Sequence, residues 1–291
     1  MSREQWLFNM LLNGVVEGLI IGLLALAITL VYAVARFPNA AAGDFMTFGA
    51  YVAKGIAAVV GSLTIGVIGA AAVTAALSVF FYLWVFRRLL ARSHTIALVA
   101  SIGVAYFVRN IMTLFTGHEP QVFDVPIVRA MRIGGLLVQP TDIAIGLAAL
   151  VCVLVVFGVL HLTAMGRRMR AVADNPDLAR VSGIRSGRIM IMLWLMSGAI
   201  CAVSGVLIGL KAVLRPELGW DLLLPGFAAA ILGGFGSPIG AVVGGLAMGL
   251  AQEFAGPLVG YSYNIAISFA VILLLLLWRP NGIFGRVEAV R

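Results

Sequence analysis

The hydrophobic residues of this chain fall in long unbroken runs rather than in an alternating or one-faced pattern. Bounded by Arg, Pro or Gly clusters, these runs lie near 6–35, 40–60, 63–86, 95–116, 142–165, 189–213, 222–236, 239–255 and 258–278. A bilayer core of ~30 Å takes about 20 apolar residues per crossing helix. Most of the runs reach that length, whereas 222–236 and 239–255 fall short and turn at Gly236-Ser237-Pro238. The pattern predicts an all-α polytopic membrane protein with one transmembrane domain over residues 1–291. Its expected architecture is a bundle of about eight transmembrane helices, with short or re-entrant helices in the second half.

Composition supports a lipid solvent. Of the 291 residues, 62% are hydrophobic and 11% charged, with mean hydropathy +1.08, against roughly 45–50% apolar residues in soluble domains. In a soluble protein the net charge of +8 would suggest nucleic acid. Here the arginines gather in short connections between apolar runs, so the charge reads as topology, with anionic lipid headgroups rather than nucleic acid as the neighbours. Cys152 and Cys201 each lie inside an apolar run without CxxC spacing, which fits packing rather than a disulfide or a metal site. The first run continues to Tyr32 with no small-residue cleavage site, so no cleaved signal peptide is expected.

The positive-inside rule then orders the connections. Arg87, Arg88 and Arg92, then Arg167, Arg168, Arg170, Arg180, Arg185 and Arg188, then Arg279, Arg286 and Arg291 mark three cytoplasmic stretches, the last of them the C-terminus. The 117–141 and 211–221 connections fall outside and are mixed in charge. The N-terminus is outside if 40–60 crosses fully and inside if that segment is re-entrant. Pro120, Pro126 and Pro140 break the external 117–141 loop, and Ile127 to Val138 can form a hairpin around Gly134-Gly135. This ledge either receives a solute-loaded partner or simply caps the bundle.

Glycine recurs at four-residue spacing at Gly14, Gly18 and Gly22, at Gly236, Gly240 and Gly244, at Gly245 and Gly249, and at Gly205 and Gly209. That period places small residues on one helix face, where backbones can approach closely.

The hydrophilic stretch 166–188 carries local helix signals. Three arginines end the preceding helix, and Asp174-Asn175-Pro176-Asp177 supplies an N-cap, a proline at the first helical position and an acid near the positive helix end. Leu178, Ala179 and Val181 lie on the short helix that follows, and Gly183 stops it. The product is a compact helix on the cytoplasmic surface, shaped for docking, although an Arg-rich loop serving topology alone is the plainer alternative.

Asp177-Leu178-Ala179 followed by Gly183 resembles the Glu-Ala-Ala, three residues, Gly signature of the coupling loop in bacterial ABC importer permeases, with Asp for Glu and Leu for the first Ala. The wider run from Arg170 through Asp174, Asn175 and Pro176 to Ala179-Arg180 and Ser182-Gly183-Ile184 is similar to the branched-chain amino-acid permease family. Three further stretches agree with that family: Pro38-Asn39 with Gly43-Asp44-Phe45-Met46 and Gly49-Ala50-Tyr51; Ile231 to Pro238 with Gly240 and Gly244-Gly245; and Arg279 to Gly285. The resemblance covers nearly the whole chain. It implies a permease subunit of the bacterial inner membrane that works with two cytoplasmic ATPase subunits, a second permease of the same fold and an extracytoplasmic solute-binding protein. It also makes 166–188 the cytoplasmic coupling loop. Two departures bear on cargo: Asn39-Ala40-Ala41-Ala42-Gly43 is less polar than the family's usual stretch, and Arg109 stands before Asn110 where Gln is common.

An ionisable residue at the centre of a membrane helix costs ~2.5–3.5 kcal/mol on insertion scales, so each needs a partner, a cavity or an interface. Arg109, two turns from the external end, is expected to snorkel, as is Lys54. Glu17 has no counterpart in the family. Asn39, Gly43, Asp44, Asn110, Gly236, Ser237 and Glu253 form the candidate translocation path. His94, His118 and His161 show no metal spacing, and no cofactor is expected.

Three functions compete. An importer permease borrows its motor, since no GxxxxGK[ST] loop is present to cradle ATP phosphates. A secondary transporter or channel would share the broken helices and the buried acids Glu17, Asp44 and Glu253. A membrane enzyme would want clustered acids or HExxH at an interface, and the sequence has neither. The first reading is the one the motifs favour, with no catalytic residue expected.

Overall fold

The computed structural model describes residues 3–125, 129–133, 136–260, 263–278 and 282–284. Twelve α-helices and one short hairpin follow one another among them: α1 (Arg3–Ala35), α2 (Ala42–Val60), α3 (Leu63–Phe81), a π-helical turn (Tyr82–Phe86), α4 (Arg87–Leu90), α5 (His94–Thr116), β1 (Met131–Ile133), β2 (Leu136–Val138), α6 (Pro140–Leu162), α7 (Ala164–Asp174), α8 (Pro176–Val181), α9 (Ser186–Lys211), α10 (Leu218–Gly233), α11 (Pro238–Val259) and α12 (Asn264–Trp278). Six stretches are long and apolar enough to cross a membrane: Gln5–Ala35, Leu63–Leu90, His94–Thr116, Pro140–Leu162, Ser186–Lys211 and Pro238–Val259. The chain is an all-α polytopic membrane protein, with α10 and α12 as its shorter apolar helices and the 19-residue α2 outside both groups.

Two boundaries differ from the sequence expectation. The segment expected at 239–255 is the 22-residue α11, which is long enough to cross. Pro257 lies within its last turn and forgoes the backbone bond to Glu253 O, yet the helix runs on to Val259, and Gly260 N still donates to Gly256 O at 2.7 Å. Arg167, Arg168 and Arg170 do not extend the preceding helix, because Thr163 breaks it in extended geometry and its hydroxyl accepts from Gly166 N at 3.3 Å, which starts α7. Gly166 also has to be glycine, since a Cβ there would stand 1.9 Å from Leu160 O. Of the expected hairpin, the strands pair Met131 with Val138 and Ile133 with Leu136; Ile127 and the Gly134-Gly135 turn lie outside the described residues.

The core is built around α1. From Ile20 to Ile28 every residue is buried, Gly22 packing directly on α11, as expected of a helix that is apolar all round. Gly14, Gly18 and Gly22 meet Leu250, Leu246 and Val242 of α11, and Gly245 and Gly249 meet Gly22 and Gly18 in return. A Cβ on Gly249 would lie 2.3 Å from Gly18 N, so the two backbones touch and dispersion replaces the hydrophobic effect that lipid cannot provide. Against another side of α1, the hydroxyls of Ser197 and Ser204 on α9 donate to Ala27 O and Ile20 O, each at 3.1 Å. Gly240 and Gly244 pack on Gly233 and Ala229 of α10, whereas Gly236 belongs to the intervening turn, at φ +90°.

These pairings make α1 antiparallel to both α9 and α11 and define two faces. One carries α7 and α8: the Arg36 guanidinium donates to Ala173 O at 3.0 Å, and Tyr32 stacks on Phe235 of the 234–237 turn at 4.5 Å. Residues 282–284 join this face, where Ile283 N and Phe284 N donate to Leu232 O and Gly233 O at 2.9 and 3.1 Å. On the opposite face, the N-terminal end of α1 lies near the 117–139 and 212–217 connections, which bridge at Gln121 and Leu214. Residues 36–41 dip back from the α7 face, because Ala40 N reaches Ser101 Oγ of α5 at 3.0 Å. Thus α2 begins at membrane depth and rises to the opposite face, where Lys54 Nζ donates to Gln121 Oε1 at 2.9 Å. With Gln121 as its partner, Lys54 does not rely on snorkelling.

The α1–α11 contact should be intolerant of bulk. Gly249→Leu is expected to lower stability by about 3 kcal/mol or more, read as a drop in thermal midpoint in detergent, while Gly158→Leu, where a Cβ meets open space, should leave it unchanged.

Candidate functional site

The α7–α8 segment is assembled from its caps. Asn175, in extended geometry, accepts through Oδ1 from Asp177 N and Leu178 N, both at 3.0 Å, and Pro176 follows at the first helical position. At the other end Gly183 takes φ +81°, its N–H donates to Arg180 O at 3.0 Å, and Ile184 N donates to Ala179 O at 2.9 Å. This pair of bonds is a Schellman stop, and it explains the need for glycine. So α8 is only six residues long yet closed at both ends. Ala179 faces inward, 4% exposed, whereas Leu178 and Val181 are 64% and 86% exposed and stand one turn apart. Asp177 and Arg180 pair at 3.2 Å in solvent.

Behind α8, α7 acts as a brace. Arg170 donates to Leu160 O at the end of α6, a cation on a helix C-terminus, so this residue anchors α7 rather than belonging to the docking surface. Asp174 ends α7, one residue after the Ala173 carbonyl that Arg36 holds. The sequence placed Leu178, Ala179 and Val181 on this helix without separating the inward Ala179 from the outward pair, although the i, i+3 spacing of Leu178 and Val181 was available as a signal.

A second polar site lies inside the bundle. Asp44, in the first turn of α2 and 1% exposed, receives both arms of Arg109 from α5, at 2.8 and 3.0 Å. The guanidinium also lies 5.1 Å from the Tyr106 ring and 5.0 Å from that of Trp220 on α10. Arg109 was expected to snorkel outward; instead it is committed to an ion pair, because Asp44 is reached across α2 rather than along its own helix. The same junction is tightened by Gly43, where a Cβ would stand 2.4 Å from Gly219 O, and by Thr47 Oγ1, which accepts from Gly219 N at 2.8 Å. Asn39, 1% exposed, accepts from Ala41 N at 3.1 Å and holds the entry to α2.

The remaining candidates lie elsewhere. Asn110 is exposed and donates to Tyr106 O at 2.7 Å, so it does not share the pocket of Asp44. Gly236 and Ser237 form the turn on the α7 face, where Ser237 Oγ caps α11 by accepting from Gly240 N at 3.1 Å. Glu253 is buried on α11 beside Gly14, near Glu17, which approaches Lys211 at 3.8 Å. The seven path candidates therefore fall in several separate places: Asn39, Gly43 and Asp44 adjoin, Gly236 and Ser237 share the turn on the α7 face, and Asn110 and Glu253 each stand elsewhere. Trp220, Tyr106, Thr47 and Ser101 complete that junction and were not singled out in the sequence. Among the described residues no group of three His, Cys, Asp or Glu could hold a metal.

Among the described residues, six stretches long and apolar enough to cross a membrane thus surround a buried glycine seam, with a capped helix at one end. The profile of the family described as branched-chain amino acid transport system / permease component matches residues 10–277, and the chain belongs to that family. It is accordingly a permease component of an ATP-binding-cassette transport system. The high-affinity branched-chain amino acid transport system permease protein LivH of Salmonella typhimurium is 30% identical, over 98% of this chain and 98% of its own. BraD of Pseudomonas aeruginosa, described in the same words, is 29% identical over 96% and 95%. A probable branched-chain amino acid transport permease, LivH of Methanocaldococcus jannaschii, is 27% identical over 95% and 92%.

The buried pair predicts a double-mutant signature. Asp44→Asn or Arg109→Gln alone strands one charge in the bundle and should cost about 3–5 kcal/mol, whereas the double variant should recover most of that loss. Additive losses in chemical denaturation would show that the pair does not hold α2, α5 and α10 together.

Proposed function

We propose that this chain provides the translocation path and the motor-docking helix of an ATP-driven importer for branched-chain amino acids or similar small organic solutes. The carrying observation is α8, which is capped at both ends, braced by α7 and presents the apolar Leu178 and Val181 to solvent. Exposed apolar side chains on a rigid surface helix are what a partner's groove takes up. The partners in this reading are two cytoplasmic ATPase subunits below α8, a second permease of the same fold, and an extracytoplasmic solute-binding protein on the 117–141 ledge. Membrane lipid surrounds the rest. In this reading Asn175, Pro176, Asp177, Ala179, Arg180 and Gly183 shape the docking helix, and Arg170 and Asp174 hold the brace.

Orientation follows from charge. Arg87, Arg88, Arg92, Arg167, Arg168, Arg170, Arg180, Arg185 and Arg188 collect at the α7 face, whereas Lys54, Lys211 and Arg215 on the other face have Glu17, Glu217 and Asp221 among them. The α7 face, with residues 282–284 and the C-terminus, is then cytoplasmic in a bacterial inner membrane. Closure of the ATPases would press α8, and the brace would pass the displacement to α6 through Arg170 and to α1 through Arg36. Because α1 is seated on both α9 and α11, the force reaches the centre of the bundle. The Asp44–Arg109 pair keeps α2, α5 and α10 together near the external mouth, and parting these elements would open the path from Asn39 and Gly43 outward. The peptide itself performs no bond-making step in this cycle.

The test is the motor interface. Leu178→Asp with Val181→Asp, and separately Gly183→Val, should leave insertion intact and reduce ATPase co-purification at least about tenfold, in line with the loss of two buried apolar side chains. Normal co-purification and normal solute-stimulated ATP turnover in both variants would defeat the assignment. Solute uptake into proteoliposomes by this polypeptide alone, without nucleotide, would point to an ion-coupled or passive transporter.

A further inference from the structure

A cavity of about 290 Å³ opens where the π-helical turn after α3 meets the start of α9, on the α7 face. Its walls carry three arginines, Arg87, Arg185 and Arg188, and no acidic side chain. None of the three belongs to an ion pair among the described residues. Two backbone features add to the same demand for negative charge. Arg185 precedes the 26-residue α9 and its side chain makes no cap bond; Arg188 N donates to Arg185 O at 3.0 Å, which leaves the N–H groups of Ser186 and Gly187 to face an anion. Gly187 lines the cavity and has open space where a Cβ would be. Ser186 Oγ, buried beside them, has no hydrogen-bond partner.

The upper wall is of a different kind. Leu83 and Ile191 line the cavity on the side toward the membrane centre. Exposed apolar residues continue along both helices, with Phe80 on α3 and Leu195 on α9. Trp84, 65% exposed, lies three residues before Arg87, a placement that suits the aromatic belt at headgroup depth. The cleft is thus cationic where it meets water and apolar where it meets lipid tails. A soluble protein groove fits only the first half, and a hydrocarbon chain only the second.

We infer that this cleft is a binding site for an anionic phospholipid, whose phosphate is held by Arg87, Arg185 and Arg188 and whose acyl chains lie along Leu83 and Ile191. Arginine matches phosphate with a planar fork of donors, and basic pockets between helices at the cytoplasmic interface select anionic headgroups. The site adjoins the docking segment, since Arg185 and Arg188 follow α8 within a few residues. It rests on the membrane placement of the bundle and not on the identity of the solute or the motor.

The test uses the full-length protein in nanodiscs and in detergent. Native mass spectrometry of protein exchanged into equimolar phosphatidylglycerol and phosphatidylcholine should retain phosphatidylglycerol about tenfold over phosphatidylcholine, given the contribution expected of each arginine. R87Q/R185Q/R188Q should abolish that preference. Inorganic phosphate added at millimolar concentration should not displace the lipid; full displacement would assign the site to a free anion and overturn the lipid proposal. Equal retention of both lipids by the native chain would also overturn it, as would loss of ATPase co-purification in the variant with lipid preference unchanged, which would assign the arginines to the motor. A measurement on chain that keeps its arginines guards against misfolding. Brominated phosphatidylglycerol should quench the Trp84 component of fluorescence, defined by difference from W84F, more strongly than brominated phosphatidylcholine, and equal quenching would reject the site.

Discussion

The contact of α1 with α11 is the constraint on which the remaining packing depends. Lipid chains solvate leucine as well as a neighbouring helix does, so apolar surface alone gives two membrane helices no reason to associate. What the pair gains is contact density, and only glycine allows that density at Gly18, Gly245 and Gly249. Once α11 is seated, the other side of α1 is free for α9, where two serine hydroxyls find carbonyls of the partner helix. Most of the other helices pack on this three-helix centre, and α5 reaches it through α2.

Charge is distributed in a complementary way. The solvent-facing ends of the α7 face carry arginine with little acid, which membrane potential and anionic lipid both favour. Inside the bundle, by contrast, the guanidinium of Arg109 is neutralised by Asp44 and flanked by two aromatic rings. A buried pair of this kind contributes little net stability compared with packed hydrocarbon, but it penalises any arrangement in which the two groups part. Its value is specificity, because it fixes which turn of α5 stands beside the start of α2.

Much of this was legible in the sequence. Long apolar runs and arginine placement were enough for the all-helical membrane class and for the relative faces, because the bilayer leaves few other ways to satisfy a backbone. The caps of α8 were readable because Asn175, Pro176 and Gly183 act within one turn of their own positions. What could not be read was pairing between distant segments. Arg109 and Asp44 are 65 residues apart, and no local pattern says that one will reach the other rather than the headgroups. The break at Thr163 was missed for a related reason: its hydroxyl caps α7 only because Gly166 lets the chain fold back on Leu160. The length of α11 was underestimated because Gly256-Pro257 reads as a terminator, whereas the helix had only a few residues left to run.

The residues just beyond α12 have a consequence of their own. Gly282, at φ +74°, lets the chain lie so close to Gly234 that any side chain would collide, and Ile283 and Phe284 occupy the acceptors that α10 leaves open at its end. The tail is thereby a clasp that shuts the α10–α11 hairpin, and Tyr32 of α1 touches the same corner through Phe235. Residues 282–284 are thus needed to finish a helix that ends some fifty residues earlier. During synthesis the end of α10 would therefore stay unlatched until α11 and α12 have both been made.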